Sequence, residues 1–143
     1  MPPEPGGGPP TKLSVVVFSG DYGRVHYALA MAASAAAINR PVTLFFTMEG
    51  LRALLPRAED GTPGWAALEG AGRDADFARN SLATFEELLG ACAGFGVTIM
   101  VCEMGLKAEG LEAGDLRQDI KVASGGIVTF LNDASRTGAL LVL

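Results

Sequence analysis

Cysteine and histidine are scarce in this 143-residue chain, which has two cysteines, Cys92 and Cys102, and one histidine, His26. Two thiols cannot build the disulfide framework of a small secreted scaffold, and their spacing matches neither a CxxC redox pair nor a set of zinc ligands. No metal site and no cofactor are therefore expected. Positive charge is also short, with 11 Lys and Arg against 16 Asp and Glu for a net charge of −5. The basic residues are scattered, so the chain lacks the electrostatic footprint that a nucleic-acid backbone requires. Long hydrophobic runs are missing despite a mean hydropathy of +0.30. The most apolar stretch, VHYALAMAASAAAI from Val25 to Ile38, is shorter than the roughly 18 residues needed to cross a bilayer. It reads as a buried helix, and no membrane span is expected. The start, MPPEPGGGPP, has neither the basic nor the apolar region of a secretion signal. A cytoplasmic location, where thiols stay reduced, is the expectation.

What the chain does have is apolar and small residues in alternating patterns. Residues 1 to 11 are rich in Pro and Gly and are expected to be a flexible tail, because such a composition buries too little apolar surface to offset ordering. Residues 12 to 143 are expected to form a single α/β domain. LSVVVF (13–18) and VTLFFT (42–47) are short, nearly continuous apolar runs, as in strands covered on both faces of a parallel sheet. The Ala-rich stretch from Arg24 to about Asn39 predicts the helix between them, with Asn39-Arg40-Pro41 as its stop. A short helical segment is expected at about 49–55, followed by a long irregular stretch from Pro56 to Asp76. Leu82 to Phe95 carries apolar residues at helical spacing and ends at Gly96; Val97 to Val101 reads as a third strand. A helix over Gly125 to Ala134 and a strand over 139–143 close the chain. These elements predict an open parallel sheet of four to five strands with helices on both faces, a flavodoxin-like three-layer sandwich with the spatial order 2-1-3-4.

In that order the ligand crevice lies between the first and third strands, outside their carboxyl ends. The loops Ser19-Gly20-Asp21-Tyr22-Gly23 and Cys102-Glu103-Met104-Gly105 then face one another. Cys102 is the candidate nucleophile, since a thiol at a strand end before a helical turn is approached by backbone N–H groups that favour the thiolate. The neighbouring Glu103 carboxylate opposes it. Ser19, Gly20, Asp21, Tyr22, Arg24, His26, Glu103 and Met104 are expected to shape the pocket or bind in it. Ser19 and Asp21 also read as helix caps, and His26 as a structural histidine. Tyr22 and Arg24 are weaker candidates for holding an anion. Lys107 and Lys121 read either as solvated surface or as positive charge near Cys102. Cys92, on an apolar helix stripe, reads as core. No GxGxxG or P-loop is present.

Three segments taken together carry a family resemblance: VVVFSGD with the Ala-rich helix and PVTLFFT; FEELLGACAGFGVTIMVCEMG; and VASGGIVTFLNDA before the last strand. In their order the chain resembles the DsrE/DsrF-like family of small sulfur-relay proteins. That resemblance implies a DsrE-like fold, association into homo- or hetero-oligomers, and a cysteine after a central strand that takes up sulfane sulfur as a persulfide and passes it to a small sulfur-carrier protein. The corresponding residue is Cys102. The alternative expectation is a non-catalytic small-ligand-binding or assembly module on the same fold.

Overall fold

The computed structural model describes residues 8–143; most of the expected tail, residues 1–7, lies outside the described residues. β1 (Leu13–Val17) leads through α1 (Tyr22–Ala37) to β2 (Val42–Phe46). A 3-10 turn, Met48–Leu54, opens the long connection, which also contains a second 3-10 turn at Gly64–Ala67 and a helix, α2 (Arg73–Arg79). Then follow α3 (Phe85–Gly94), β3 (Thr98–Cys102), α4 (Glu103–Ala108), β4 (Ala123–Gly125), α5 (Ile127–Asp133) and β5 (Ala139–Val142).

Local chemistry accounts for the boundaries. Asp21 caps α1, its carboxylate accepting from the Arg24 N–H, and Asn39 leaves that helix at a φ of 66°, a left-handed conformation that asparagine tolerates. Thr84 and Glu87 form a reciprocal capping box at the start of α3, and Gly96 turns out of it at a φ of 81°.

The five strands are all parallel, in the order β4-β3-β2-β1-β5. This corrects the expected order 2-1-3-4. The reason lies in which face the crossovers use. α1 and α3 pack against each other on one face of the sheet, and right-handed crossovers on one face all step in the same direction. β2 therefore sits between β1 and β3. The return to β5 runs through α5 on the other face, which carries the chain past β2 to the free side of β1. The short strand β4, absent from the sequence-based expectation, extends the β3 edge.

The first face, with Val15, Val17, Leu44, Phe46, Ile99 and Val101, buries against Val25, Ala28, Leu29 and Ala32 of α1 and Phe85, Leu89 and Cys92 of α3. Alanine at the contact lets α1 approach closely, and each large apolar side chain buried here contributes about 1.5–3 kcal/mol. The second face is covered more thinly: Phe45, Met100 and Cys102 meet Phe130 of α5 in a separate small cluster.

Candidate functional site

Cys102 closes β3 and is also the N-cap of α4, where its Sγ accepts the Gly105 N–H at 3.4 Å. Its side chain is 1% exposed. Gly105 is required at that place, because a Cβ there would stand 2.5 Å from Thr47 Oγ1 and 2.7 Å from the Met48 nitrogen. The first turn of α4 thus packs directly on the turn that follows β2. Glu103 and Met104 stay on the exposed side of α4, Met104 at 53%.

Cys92 lies on the opposite face of the sheet, buried under α1, with its thiol directed to the Leu29 carbonyl at 3.5 Å. Burial pushes that thiol up to about 11. The two thiols belong to separate clusters on either side of the sheet.

The β1 loop does not face Cys102 across a crevice, because β2 intervenes. In this strand order the direction reverses between β1 and β5, and the cleft outside the carboxyl ends opens there. Ser19, Gly20 and Arg24 line it together with Phe18, Met48, Glu49, Glu109, Val142 and Leu143, around a volume of about 570 Å³. Gly20 is fixed by contact, since a Cβ would meet Glu49 Oε2 at 2.6 Å.

Tyr22 and His26 leave the expected site altogether. Tyr22 is fully buried, and its hydroxyl donates to Asp74 Oδ1 at 2.5 Å; burial, then the bond to Asp74, raise the phenol above its ordinary value. It binds no anion. Asp74 also accepts from the Phe85 N–H at 2.7 Å. His26 Nε2 lies 2.8 Å from the Ala83 carbonyl, a contact that requires the proton on that nitrogen, and its ring packs on Phe77 at 4.6 Å between centroids. Both side chains clamp the long connection to the start of α1. Glu69 adds backbone bonds of 2.8 Å to Gly20 and Tyr22. At the other end Trp65 stacks on Phe85 and donates to Glu86 at 3.0 Å, and Arg117 grips Glu86 with two bonds of 2.8 and 3.1 Å. Hydrogen bonds from Arg117 hold the Glu86 carboxyl below the usual range against partial burial.

Lys107 lies on α4 beside a cleft with Glu103 and Ser124. Lys121 flanks Gly96 and Thr98 at the start of β3, the end remote from Cys102, and so supplies it no charge. The contribution of α5 escaped the sequence reading. Phe130 is one of several apolar residues in that run, and only the packing shows it to be the one buried in the cluster that contains Cys102. Among the described residues no cluster of His, Cys, Asp and Glu fits a metal ion, and no helix is long and apolar enough to cross a membrane.

Comparison with known proteins agrees with this architecture. The chain is 28% identical, over an alignment of 148 residues covering 86% of it and 91% of the relative, to the uncharacterized protein YrkE of Bacillus subtilis (strain 168). The fold matches the crystal structure of the ychN protein from E. coli with a TM-score of 0.60 at 16% identity, covering 93% of this chain and 99% of that one. It also matches the protein of unknown function MTH1491 from Methanobacterium thermoautotrophicum with a TM-score of 0.55 at 16% identity, covering 92% and 98%. The sequence model of the DsrE/DsrF-like family covers residues 12–142, and the chain belongs to that family.

Proposed function

We propose that this protein is a sulfur-relay component that carries sulfane sulfur as a persulfide on Cys102. The observation that carries the reading is the pairing of a strand-end thiol, held by the Gly105 N–H, with the seclusion of the other cysteine on the far face of the sheet. A relay needs one acceptor thiol and no resolving thiol beside it, because a neighbour would displace the sulfur and close a disulfide. The step balances without an external oxidant. The Cys102 thiolate attacks the outer sulfur of a donor persulfide, R–S–SH; the new Cys102–S bond forms as the donor S–S bond breaks, and R–S⁻ leaves with the electron pair. A second thiolate, on a small sulfur-carrier protein, repeats the attack on the outer sulfur and regenerates Cys102. A reducing compartment such as the cytoplasm suits a thiol used in this way.

Intact-protein mass spectrometry after incubation with polysulfide tests the assignment. The wild-type chain and Cys92→Ser gain the mass of one sulfur atom and Cys102→Ser does not; a gain that survives in Cys102→Ser and disappears in Cys92→Ser overturns it.

A second reading, a ligand-binding or assembly module without transfer chemistry, is favoured by two other features. The cleft at Ser19, Gly20 and Arg24 is separate from Cys102. On the second face, Val128 at 70%, Leu131 at 55% and Val142 at 63% leave apolar surface exposed, which suits a homo-oligomer. Native Cys102 that resists a thiol reagent under all folded conditions supports this reading over the first.

A further inference from the structure

We propose, resting on Cys102 as the working thiol, that α5 is a gate over it, held shut by a latch from Asp133 to Thr43 and Lys12 and flanked by glycines that let it lift. A sulfur donor or acceptor must approach the Cys102 sulfur along the S–S axis, yet that side chain is 1% exposed. One of the elements around it has to move. α4 is the firmer one: its Gly105 packs on the Thr47–Met48 backbone with no space to spare, and Leu106 is buried beneath it.

α5 is the weaker cover. Of its seven residues only Phe130 is buried, and Ile127, Val128 and Leu131 are exposed by 47%, 70% and 55%. A helix this short has little stability of its own. Beyond the Phe130 ring, two side-chain contacts fasten its last residue. Asp133 Oδ2 accepts from Thr43 Oγ1 at 2.6 Å and from Lys12 Nζ at 2.7 Å, and Lys12 also donates to the Asp133 carbonyl at 2.9 Å. Thr43 is 1% exposed, so in the closed state the Asp133 carboxylate is the partner that satisfies its hydroxyl. Gly125 and Gly126 precede the helix and Gly138 follows it, while Thr11 holds the return to β5 through the Thr137 carbonyl at 3.2 Å. The gate therefore moves as the segment between Gly126 and the anchored Thr137, with the sheet left intact.

Alkylation of the native protein by iodoacetamide, resolved by peptide mass, reads the opening directly. Cys92, under α1 on the other face, is the internal control for global unfolding. Thr43→Val keeps the shape of the side chain and removes its bond to the latch; Asp133→Ala removes both side-chain bonds of the latch. Both are expected to speed Cys102 alkylation by about tenfold or more, the factor that corresponds to a hydrogen bond to a charged group, with Cys92 unchanged. Gly126→Ala is expected to slow it about two- to fivefold, because the closed φ of −94° suits alanine and the open segment loses freedom. A Cys102 rate that is the same in wild type, Thr43→Val and Asp133→Ala, or a Cys92 rate that rises in step with it, overturns the gate. The assay uses no sulfur donor, so a gated thiol that never takes up sulfur refutes the relay, and a persulfide formed at a rate indifferent to the latch refutes the gate.

Discussion

Phe130 of α5 lies almost flat on Phe45 of β2, with ring centroids 4.6 Å apart and planes inclined by 13°, and this stacked pair shares its small cluster with Met100 and Cys102. The stack anchors α5 to the same small cluster in which Cys102 is buried. Phe130→Leu keeps apolar bulk but loses the stack, which in such pairs contributes about 0.5–1.5 kcal/mol. It is expected to raise the alkylation rate of Cys102 several-fold at constant Cys92 protection, as measured by peptide mass after timed labelling.

Gly50 and Gly105 hold the turn after β2 between its neighbours. An added Cβ at Gly50 would stand 2.1 Å from the Val17 carbonyl oxygen, and one at Gly105 2.7 Å from the Met48 nitrogen. These are backbone atoms and cannot swing aside. Gly105→Ala is expected to destabilise the protein by about 1–3 kcal/mol through overpacking, seen as a lower urea midpoint. Gly110→Ala, with no atom within 4 Å of its Cβ but a φ of 69°, is expected to cost less, since only conformational strain opposes it.

Much of this arrangement was legible in the chain. The apolar runs at 13–18 and 42–47, the Ala-rich helix stopped at Asn39, and the strand ending at Cys102 all lie within a few residues of their expected bounds. The strand order was not, because it depends on which face each crossover helix occupies, and α1 and α3 announce that only when packed together. Tyr22 and His26 looked like site residues because they follow the first strand. Their partners lie more than fifty residues away, Asp74 in the stretch expected to be irregular and Ala83 at the start of the segment expected to be helical. Cys102 is located by position and then by resemblance, whereas its sharing of a cluster with Phe130 depends on contacts that no sequence pattern declares.

Tyr22→Phe tests the reassignment of that residue. Removing a buried hydroxyl bonded to a carboxylate is expected to cost about 1.5–3 kcal/mol, while Asp74 retains its bond from Phe85. Sulfur uptake by Cys102 is expected to be unchanged, and a selective loss of uptake in a stably folded Tyr22→Phe protein contradicts the structural role.

The Cys92 thiol gives a pH signature. Its value is raised from 9.0 to about 11 by burial, so between those values the folded protein keeps a proton that the unfolded chain releases. Stability from this group is full below pH 9 and is lost as pH rises toward 11. Denaturant titrations at pH 8 and pH 10.5 are expected to show a larger alkaline loss for the wild-type chain than for Cys92→Ala, by about 2 kcal/mol.

The claim that most of this rests on is that Cys102 holds sulfur as a persulfide. Treating the folded protein with polysulfide, then capping with iodoacetamide and mapping peptides, locates the sulfur directly. A capped persulfide on the peptide containing Cys102 and an unmodified thiol at Cys92 are expected; a persulfide on Cys92 alone, or none on either cysteine, overturns the assignment.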